Sequence, residues 1–203
     1  MLDLFIRGGW TMYGILAAAL VGLFFIIERA ITFIWARVNP REFAKEVIAI
    51  YKKKGVEAAI KHCNAHPSPV AKVLLPAFDK YAKYGKNKEI LEEAIANVAA
   101  RELAFLDRGM NPLAAVTTLA PMMGFLGTVS GMIRAFDAIA LAGSVEPTLV
   151  ASGISEALIT TASGLVVAIP TAAAHVLFSS KVDAYTRAME EASSYVVEAL
   201  MED

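Results

Sequence analysis

The sequence lacks the residue groupings that most enzymes and metal proteins require. Its 203 residues include one cysteine and three histidines, scattered along the chain. Cys63 therefore has no partner for a disulfide, and no cysteine and histidine group has the spacing of a metal site. A phosphate-binding G-x-x-x-x-G-K-[ST] loop and a G-x-S-x-G nucleophile elbow are also absent. We therefore expect no enzymatic activity, no cofactor and no bound metal.

Charge is scarce as well. Only 19% of the residues are charged and 57% are hydrophobic, with a mean hydropathy of +0.53. These values are more apolar than those of an ordinary soluble domain. The formal net charge of -1 gives no reason to expect a nucleic-acid partner. The composition therefore indicates a membrane protein.

Three stretches are apolar over the roughly 20 residues that a helix needs to cross a bilayer. They are residues 8–27, which continue apolar beyond Glu28 and Arg29 to residue 36, then 109–133 and 157–180. A cleaved signal peptide is the alternative for the first, but no A-x-A-like site follows its apolar core. The sequence thus predicts an all-α membrane protein. Its segments are a first transmembrane helix with a short outer N-terminus in 1–36, a cytoplasmic helical domain in 37–108, a second transmembrane helix in 109–137, a short periplasmic loop in 138–149, a third transmembrane helix in 150–180 and a cytoplasmic C-terminal helix in 181–203.

Basic residues are concentrated between the first two apolar stretches. Residues 37–108 hold 14 of the 19 lysines and arginines, whereas the loop around 143–147 holds none. The positive-inside rule then places 37–108 and the C-terminus in the cytoplasm, and the N-terminus and the second loop on the outer side. Arg29, beside Glu28 at the inner end of the first span, is expected to reach the lipid headgroups.

The basic block carries three helix-start signals. Asn39-Pro40-Arg41-Glu42 offers an N-cap, a proline at the first helical position and a glutamate two residues later. Ser68-Pro69 and Asn87 have the same character. From Asn87 no strong breaker precedes Asn111-Pro112, so one long helix is predicted to enter the second span with a kink at Pro112. Apolar residues at three- and four-residue spacing after residue 181 predict that the third span also continues as a helix.

Glu156 is the one acidic residue in 149–180, and no lysine or arginine lies in that stretch. It shares a helix face with small or weakly polar residues, and the second span has a similar face. These faces comprise Thr117, Pro121, Gly124, Thr128, Gly131 and Ala135 in the second span, and Gly153, Glu156, Thr160, Ser163 or Gly164, Val167 and Thr171 in the third.

Two interpretations of these faces compete. Small residues allow helices to pack closely, which is the commoner role of a single glycine or threonine in a span. The alternative is a polar passage, and Glu156 favours it because a charge at the bilayer centre costs at least about 2.5 kcal/mol and usually faces a pathway. We therefore predict that something hydrophilic passes Glu156. Arg134 and Asp137, three residues apart, are expected to form a local ion pair.

Two segments resemble the ExbB/TolQ/MotA family of proton-channel subunits. LAPMMGFLGTVSGMIRAF (119–136) matches the pattern G-x-x-G-T-V-x-G, and GISEALITTASGLVVAIP (153–170) matches G-I-x-E-A-L-x-x-T-x-x-G-L-x-x-A-I-P. Glu28-Arg29 matches a weaker E-R signature at the end of the first span. The resemblance covers nearly the whole chain. With three predicted spans, the chain is more similar to ExbB and TolQ than to the four-span MotA.

The resemblance implies site residues and partners. Glu156, Thr128 and Thr161 would be the polar residues of the transmembrane passage, and Pro170 would distort the third span. Helical phase alone favours Thr160 over Thr161 beside Glu156, so both stay candidates. The family assembles as a pentamer around a dimer of a single-span partner, ExbD or TolR, whose membrane aspartate carries the protonation cycle. Such complexes convert an ion gradient into work on the outer envelope through TonB or TolA.

Two functions from different classes follow. The first is an ion-channel or stator subunit of an inner-membrane motor complex that couples the proton motive force to work such as TonB-dependent import or Tol-Pal function. The second is a non-conducting membrane scaffold that packs and recruits partners. The substitution Glu156→Gln separates them, because a scaffold tolerates it and a motor does not.

Overall fold

The computed structural model of the chain describes residues 2–35, 38–143 and 147–202. Its described parts contain helices and no strand. The helices are α1 (Leu2–Arg7), α2 (Thr11–Trp35), α3 (Pro40–Lys54), α4 (Val56–Ala65), α5 (Pro69–Tyr84), α6 (Lys88–Asp107), α7 (Met110–Ala142) and α8 (Pro147–Glu202).

Within the described residues, three helical stretches are long and apolar enough to cross a membrane. They lie within Thr11–Ile34, Lys88–Ala142 and Val150–Glu202. Large apolar side chains on these helices point away from the rest of the chain, among them Phe24, Phe125 and Val166, each more than 60% exposed. Surfaces of this kind suit contact with lipid or with other membrane helices. The predicted class, an all-α membrane protein, is confirmed.

The chain divides into two compact units. The first unit consists of residues 1–29 and 109–177, and the second of residues 30–108 and 178–203. The predicted boundary between 36 and 37 lies outside the described residues. The predicted boundary between 108 and 109 coincides with a unit boundary, and the other two unit boundaries fall inside α2 and α8.

The second unit has a continuous hydrophobic core. Helices α3, α4, α5 and α6 contribute to it, and α8 adds Met189, Ala192 and Val196 at the predicted spacing of three and four. Val47, Leu74, Phe78 and Leu91 are completely buried in the same core. Burying one such side chain stabilises the fold by about 1.5–3 kcal/mol. This core holds α3 to α6 and the C-terminal part of α8 together.

The predicted helix starts in the second unit are confirmed by their caps. The side chain of Asn39 accepts a hydrogen bond from the backbone N–H of Arg41 at 3.1 Å. Ser68 and Asn87 cap α5 and α6 in the same way, by accepting from N–H groups three residues ahead. These bonds satisfy donors that a helix leaves unpaired at its N-terminus.

Helix α4 was not anticipated from the sequence. Gly55 separates it from α3, with a φ of +84°, and its N–H donates to the carbonyl of Tyr51 at 2.8 Å. Glycine adopts this backbone conformation without the steric cost that a side chain adds. A single glycine in a lysine-rich sequence was therefore the missed signal.

The sequence predicted one long helix from Asn87 with a kink at Pro112. In the structure this helix is interrupted before Pro112, so the predicted position of the kink is wrong. Helix α6 ends at Asp107 and α7 begins at Met110, with a turn at 108–109. Pro112 is the third residue of α7, where its missing N–H leaves no helical bond unmade. Gly109 has room for no side chain, because a Cβ there would lie 2.6 Å from Nε of Arg29.

The loop predicted over 138–149 is shorter in the structure. Helix α7 continues to Ala142 and α8 begins at Pro147. Gly143 ends α7 in the left-handed conformation, with a φ of +67°, and its N–H donates to the carbonyl of Ile139. Residues 144–146 lie outside the described part of the chain.

Candidate ion-pathway site

Helices α7 and α8 pack through their small residues. A Cβ added to Gly124 would lie 2.9 Å from the carbonyl oxygen of Thr160, and one added to Gly131 would lie 2.8 Å from that of Gly153. A Cβ on Gly164 would lie 2.6 Å from the carbonyl oxygen of Ala120. The backbones therefore touch at several levels with no space for a methyl group. For these glycines the structure supports close packing, the first of the two interpretations.

Thr160 belongs to this packed interface. It is completely buried, and Gly127 of α7 lies directly against its side chain. The hydroxyl donates within α8 to the carbonyls of Glu156 and Ala157, at 3.1 and 2.9 Å. Helical phase correctly placed Thr160 beside Glu156, but the structure gives its hydroxyl a local partner. A role for Thr160 in the ion pathway stays a prediction.

Thr161 differs from the other threonines of the long helices. Seven of the described threonines donate to a carbonyl three or four residues earlier, namely Thr11, Thr117, Thr118, Thr128, Thr160, Thr171 and Thr186. The hydroxyl of Thr161 is buried and has no hydrogen-bond partner in the described structure. A buried polar group without a partner is uncommon and costly. The hydrogen-bonding capacity of this hydroxyl is therefore unused in the described structure.

Glu156 has a counter-ion that the sequence analysis missed. Its carboxylate is 12% exposed, and Oε1 accepts a hydrogen bond from Nη2 of Arg134 on α7. This pairing replaces the expected ion pair between Arg134 and Asp137. A signal was present, because Arg134 and Glu156 are at nearly the same sequence distance from the middle of the α7–α8 connection. Two antiparallel helices joined by a short loop bring such positions to the same height.

The N-terminal segment lies over this ion pair. Gly9, between α1 and α2, has a φ of +69°, and a Cβ there would collide with Oε1 of Glu156 and lie 3.0 Å from Nη2 of Arg134. Nε1 of Trp10 donates to Oγ of Ser130 at 3.2 Å. Arg7 donates through Nη2 to Oγ of Ser155 at 2.7 Å. The α1–α2 turn is therefore tied to both α7 and α8 at the level of Glu156.

The residues implied by the family patterns are not joined into one hydrogen-bonded chain. Among the described residues no hydrogen bond links Glu156 to Thr128 or Thr161. The Thr128 hydroxyl donates to the carbonyl of Phe125 at 2.6 Å. Pro170 lies inside the uninterrupted helix α8, where it removes the N–H that would pair with a carbonyl four residues earlier. Its role as a helix distortion stays a prediction.

Glu28 and Arg29 form a second ion pair in the first unit. The guanidinium of Arg29 donates through Nε and Nη2 to the two carboxylate oxygens of Glu28. Arg29 is only 1% exposed, so the expectation that it extends to the headgroups is wrong. Gly109 makes the burial possible, because any side chain at that position would occupy the space of the guanidinium.

Comparison with known proteins gives a consistent family. The model of the MotA/TolQ/ExbB proton channel family matches residues 65–191. The chain is 33% identical to "Putative biopolymer transport protein ExbB-like 1" of Synechocystis, over 83% of this chain and 66% of the relative. It is 31% identical to "Putative biopolymer transport protein ExbB homolog" of Methanothermobacter thermautotrophicus, over 83% of this chain and 59% of the relative.

A third relative is covered over most of its own length. "Biopolymer transport protein ExbB" of Neisseria gonorrhoeae is 30% identical, over 77% of this chain and 80% of the relative. The chain thus spans about two thirds or less of the Synechocystis and Methanothermobacter relatives, and most of the Neisseria one. The matched residues include all of α7 and residues 147–191 of α8, and with them Arg134 and Glu156. The chain belongs to the MotA/TolQ/ExbB proton channel family.

Proposed function

We propose that this chain is the channel and stator subunit of an inner-membrane motor complex of the ExbB–ExbD or TolQ–TolR type. In this role it couples the proton motive force to work on the cell envelope, such as TonB-dependent import or Tol-Pal function, and it catalyses no covalent reaction. The observation that carries the proposal is Glu156, an enclosed carboxylate within a helix that is otherwise apolar enough to cross a membrane.

The energy available to such a complex is sufficient for mechanical work. One elementary charge that crosses the membrane releases about 2.3 kcal/mol per 100 mV. The transfer of a few protons past Glu156 therefore supplies several kcal/mol. The predicted orientation, with the N-terminus in the periplasm and both residues 37–108 and the C-terminus in the cytoplasm, is part of the proposal.

The packing of α7 against α8 supports a requirement for partners. The glycine contacts leave no room for a proton path between these two helix faces. The opposite faces are apolar and exposed, with Phe125, Ile133 and Ile169 each at least half exposed. We propose that membrane lipids cover some of these faces and that other subunits cover the rest. The assembly would be a pentamer around a dimer of an ExbD- or TolR-like protein, which contacts a TonB- or TolA-like protein.

A non-conducting scaffold remains the second candidate, and the close packing of α7 on α8 favours it. The two candidates differ at Glu156. Glutamine has nearly the same size as glutamate but exchanges no proton in the physiological range, so Glu156→Gln leaves a scaffold intact and stops a motor.

The experiment is a flux measurement in liposomes. The chain is reconstituted with a single-span protein of the ExbD or TolR type, an imposed potential drives protons across the liposome membrane, and an enclosed pH-sensitive dye reports the flux. We expect flux from the wild-type complex and from the control Glu198→Gln, which makes the same chemical change at an exposed position on the C-terminal part of α8. We expect no proton flux from Glu156→Gln when this variant assembles to the same extent as the wild type. Full flux from Glu156→Gln would refute the proposal, and so would co-purification without any wild-type flux.

A further inference from the structure

The ion pair between Arg134 and Glu156 is asymmetric. The carboxylate is enclosed, at 12% exposure, whereas the Arg134 side chain is 49% exposed. Nη2 of Arg134 also lies 3.4 Å from the hydroxyl of Ser130, one turn earlier on α7. The guanidinium therefore keeps a second partner on its own helix and access to the surface. Among the described residues, Arg134 is the one ion-pair partner of the Glu156 carboxylate.

The α1–α2 turn keeps the carboxylate in this position. Gly9 leaves just enough space for Oε1 of Glu156, since a Cβ would occupy the place of that oxygen. The neighbouring hydrogen bonds, from Trp10 to Ser130 and from Arg7 to Ser155, attach the turn to both helices that carry the pair. A glutamate side chain in this enclosure has few alternatives to the observed orientation while it is charged.

The other charged groups at this end of the first unit do not replace Arg134. Arg7 bonds to the hydroxyl of Ser155, and its guanidinium lies 3.8 Å from Asp3. Asp137 is one turn beyond Arg134 on α7 and carries the same sign of charge as Glu156. Loss of Arg134 would therefore leave Glu156 enclosed without a cation. An enclosed carboxylate without a counter-ion binds a proton in preference to staying charged.

We propose that Arg134 is a positioning residue that controls when Glu156 is protonated. While the Glu156 carboxylate is charged, Arg134 holds it under the α1–α2 turn. When a proton binds to Oε1, the ion pair breaks, the neutral side chain is free to leave the turn, and Arg134 keeps its charge and its contact with Ser130. When the proton departs, the pair forms again, so that one proton is taken up and one released in each cycle. This inference rests on the proposed function.

The test is labelling of Glu156 by dicyclohexylcarbodiimide, an apolar reagent that reacts with the protonated carboxyl group and not with the carboxylate. The full chain is labelled in membranes at pH 7.5, and the extent at Glu156 is read by peptide mass spectrometry. We expect Arg134→Gln to raise the labelling rate by about tenfold or more, since a tenfold change corresponds to the loss of one modest charge interaction. Arg134→Lys, which keeps the charge, should label close to the wild-type rate.

The matched control is Arg187→Gln, which makes the same chemical change at an exposed position of α8 that belongs to the second unit. Its labelling rate should equal that of the wild type. Equal labelling of Arg134→Gln and the wild type would overturn the inference. An increase of the same size in Arg187→Gln would do so as well, because it would indicate a general loosening of the structure. Because the labelling assay does not require proton flux, failure of this inference can be distinguished from failure of the proposed function.

A variant that does not assemble is also informative. If Arg134→Gln is lost from the membrane, the double variant Arg134→Gln/Glu156→Gln removes the carboxylate together with its cation. Recovery of assembly in the double variant would support the inference, because it would attribute the defect to the unpaired carboxylate. Persistent loss of assembly would show that Arg134 acts through packing and would overturn it.

Discussion

The contact between Gly164 and α7 gives a quantitative test of the close packing in the first unit. In Gly164→Ala the new Cβ would lie 2.6 Å from the carbonyl oxygen of Ala120 and 3.2 Å from Cα of Gly124. Both are backbone atoms, which cannot rotate away. Ordinary contact begins at 3.4 Å, so α7 and α8 must separate locally by roughly 0.8 Å, the difference between 3.4 and 2.6 Å.

The magnitude follows from two opposing effects. A gap of about 0.5–1 Å removes a quarter to a half of the dispersion attraction between facing atoms, and overpacking of this kind typically costs about 1–3 kcal/mol. Alanine gains about 0.5–1 kcal/mol over glycine inside a helix. We therefore expect Gly164→Ala to be less stable than the wild type by about 1–2 kcal/mol, which lowers Tm by roughly 2–8 °C for a chain of this size.

The assay is thermal unfolding in a mild detergent, and the measured quantity is the fraction of the protein that remains monodisperse after heating. Gly14→Ala is the matched control. It makes the same change in another helix of the first unit, but the atoms met by its Cβ are the Cε and Sδ of Met123, the end of a flexible side chain. Its Tm should stay at or slightly above that of the wild type. A Tm for Gly164→Ala no lower than that of Gly14→Ala would refute the packing of α7 on α8 described above.

Three further predictions concern single side chains. Thr161→Val should reduce proton flux in the reconstituted complex without lowering thermal stability, because it removes a buried hydroxyl that has no partner; Thr161→Ser should retain flux, and tolerance of both changes would favour a packing role. Burial, together with the charge of Asp79, raises the pKa of Cys63 to about 12. Above about pH 9 the folded state therefore keeps the thiol proton while the unfolded state loses it, so that the stability of the folded state falls as pH rises. In thermal scans at alkaline pH, Cys63→Ala should therefore lose less stability than the wild type. Cys63 is 3% exposed, so it is a poor probe of topology. In a Cys63→Ala background, Lys53→Cys should instead react with a membrane-impermeant maleimide only after the inner membrane is opened. Labelling in intact cells would contradict the proposed orientation.

Local sequence determined the elements that depend on neighbouring residues. The three apolar stretches follow from composition alone, because the length of a run of apolar residues decides whether it can cross a bilayer. The caps at Asn39, Ser68 and Asn87 were predictable, since each side chain bonds to an N–H two or three residues ahead. The motifs around Gly127 and Glu156 were sufficient to indicate the family.

Tertiary structure decided which groups meet. The pairing of Glu156 with Arg134, the burial of Arg29 against Gly109 and the unpartnered hydroxyl of Thr161 all depend on how one helix is rotated and displaced against another. Rotation by 100° per residue turns a small difference in helix phase into a different neighbour, and sequence spacing along one helix does not specify the azimuth of the next. Thr160 and Thr161 are adjacent in sequence, yet one is bonded within the α7–α8 interface and the other has no partner. The physical reason is that the contact between two backbones, which the glycines permit, sets the orientation of every side chain beside it.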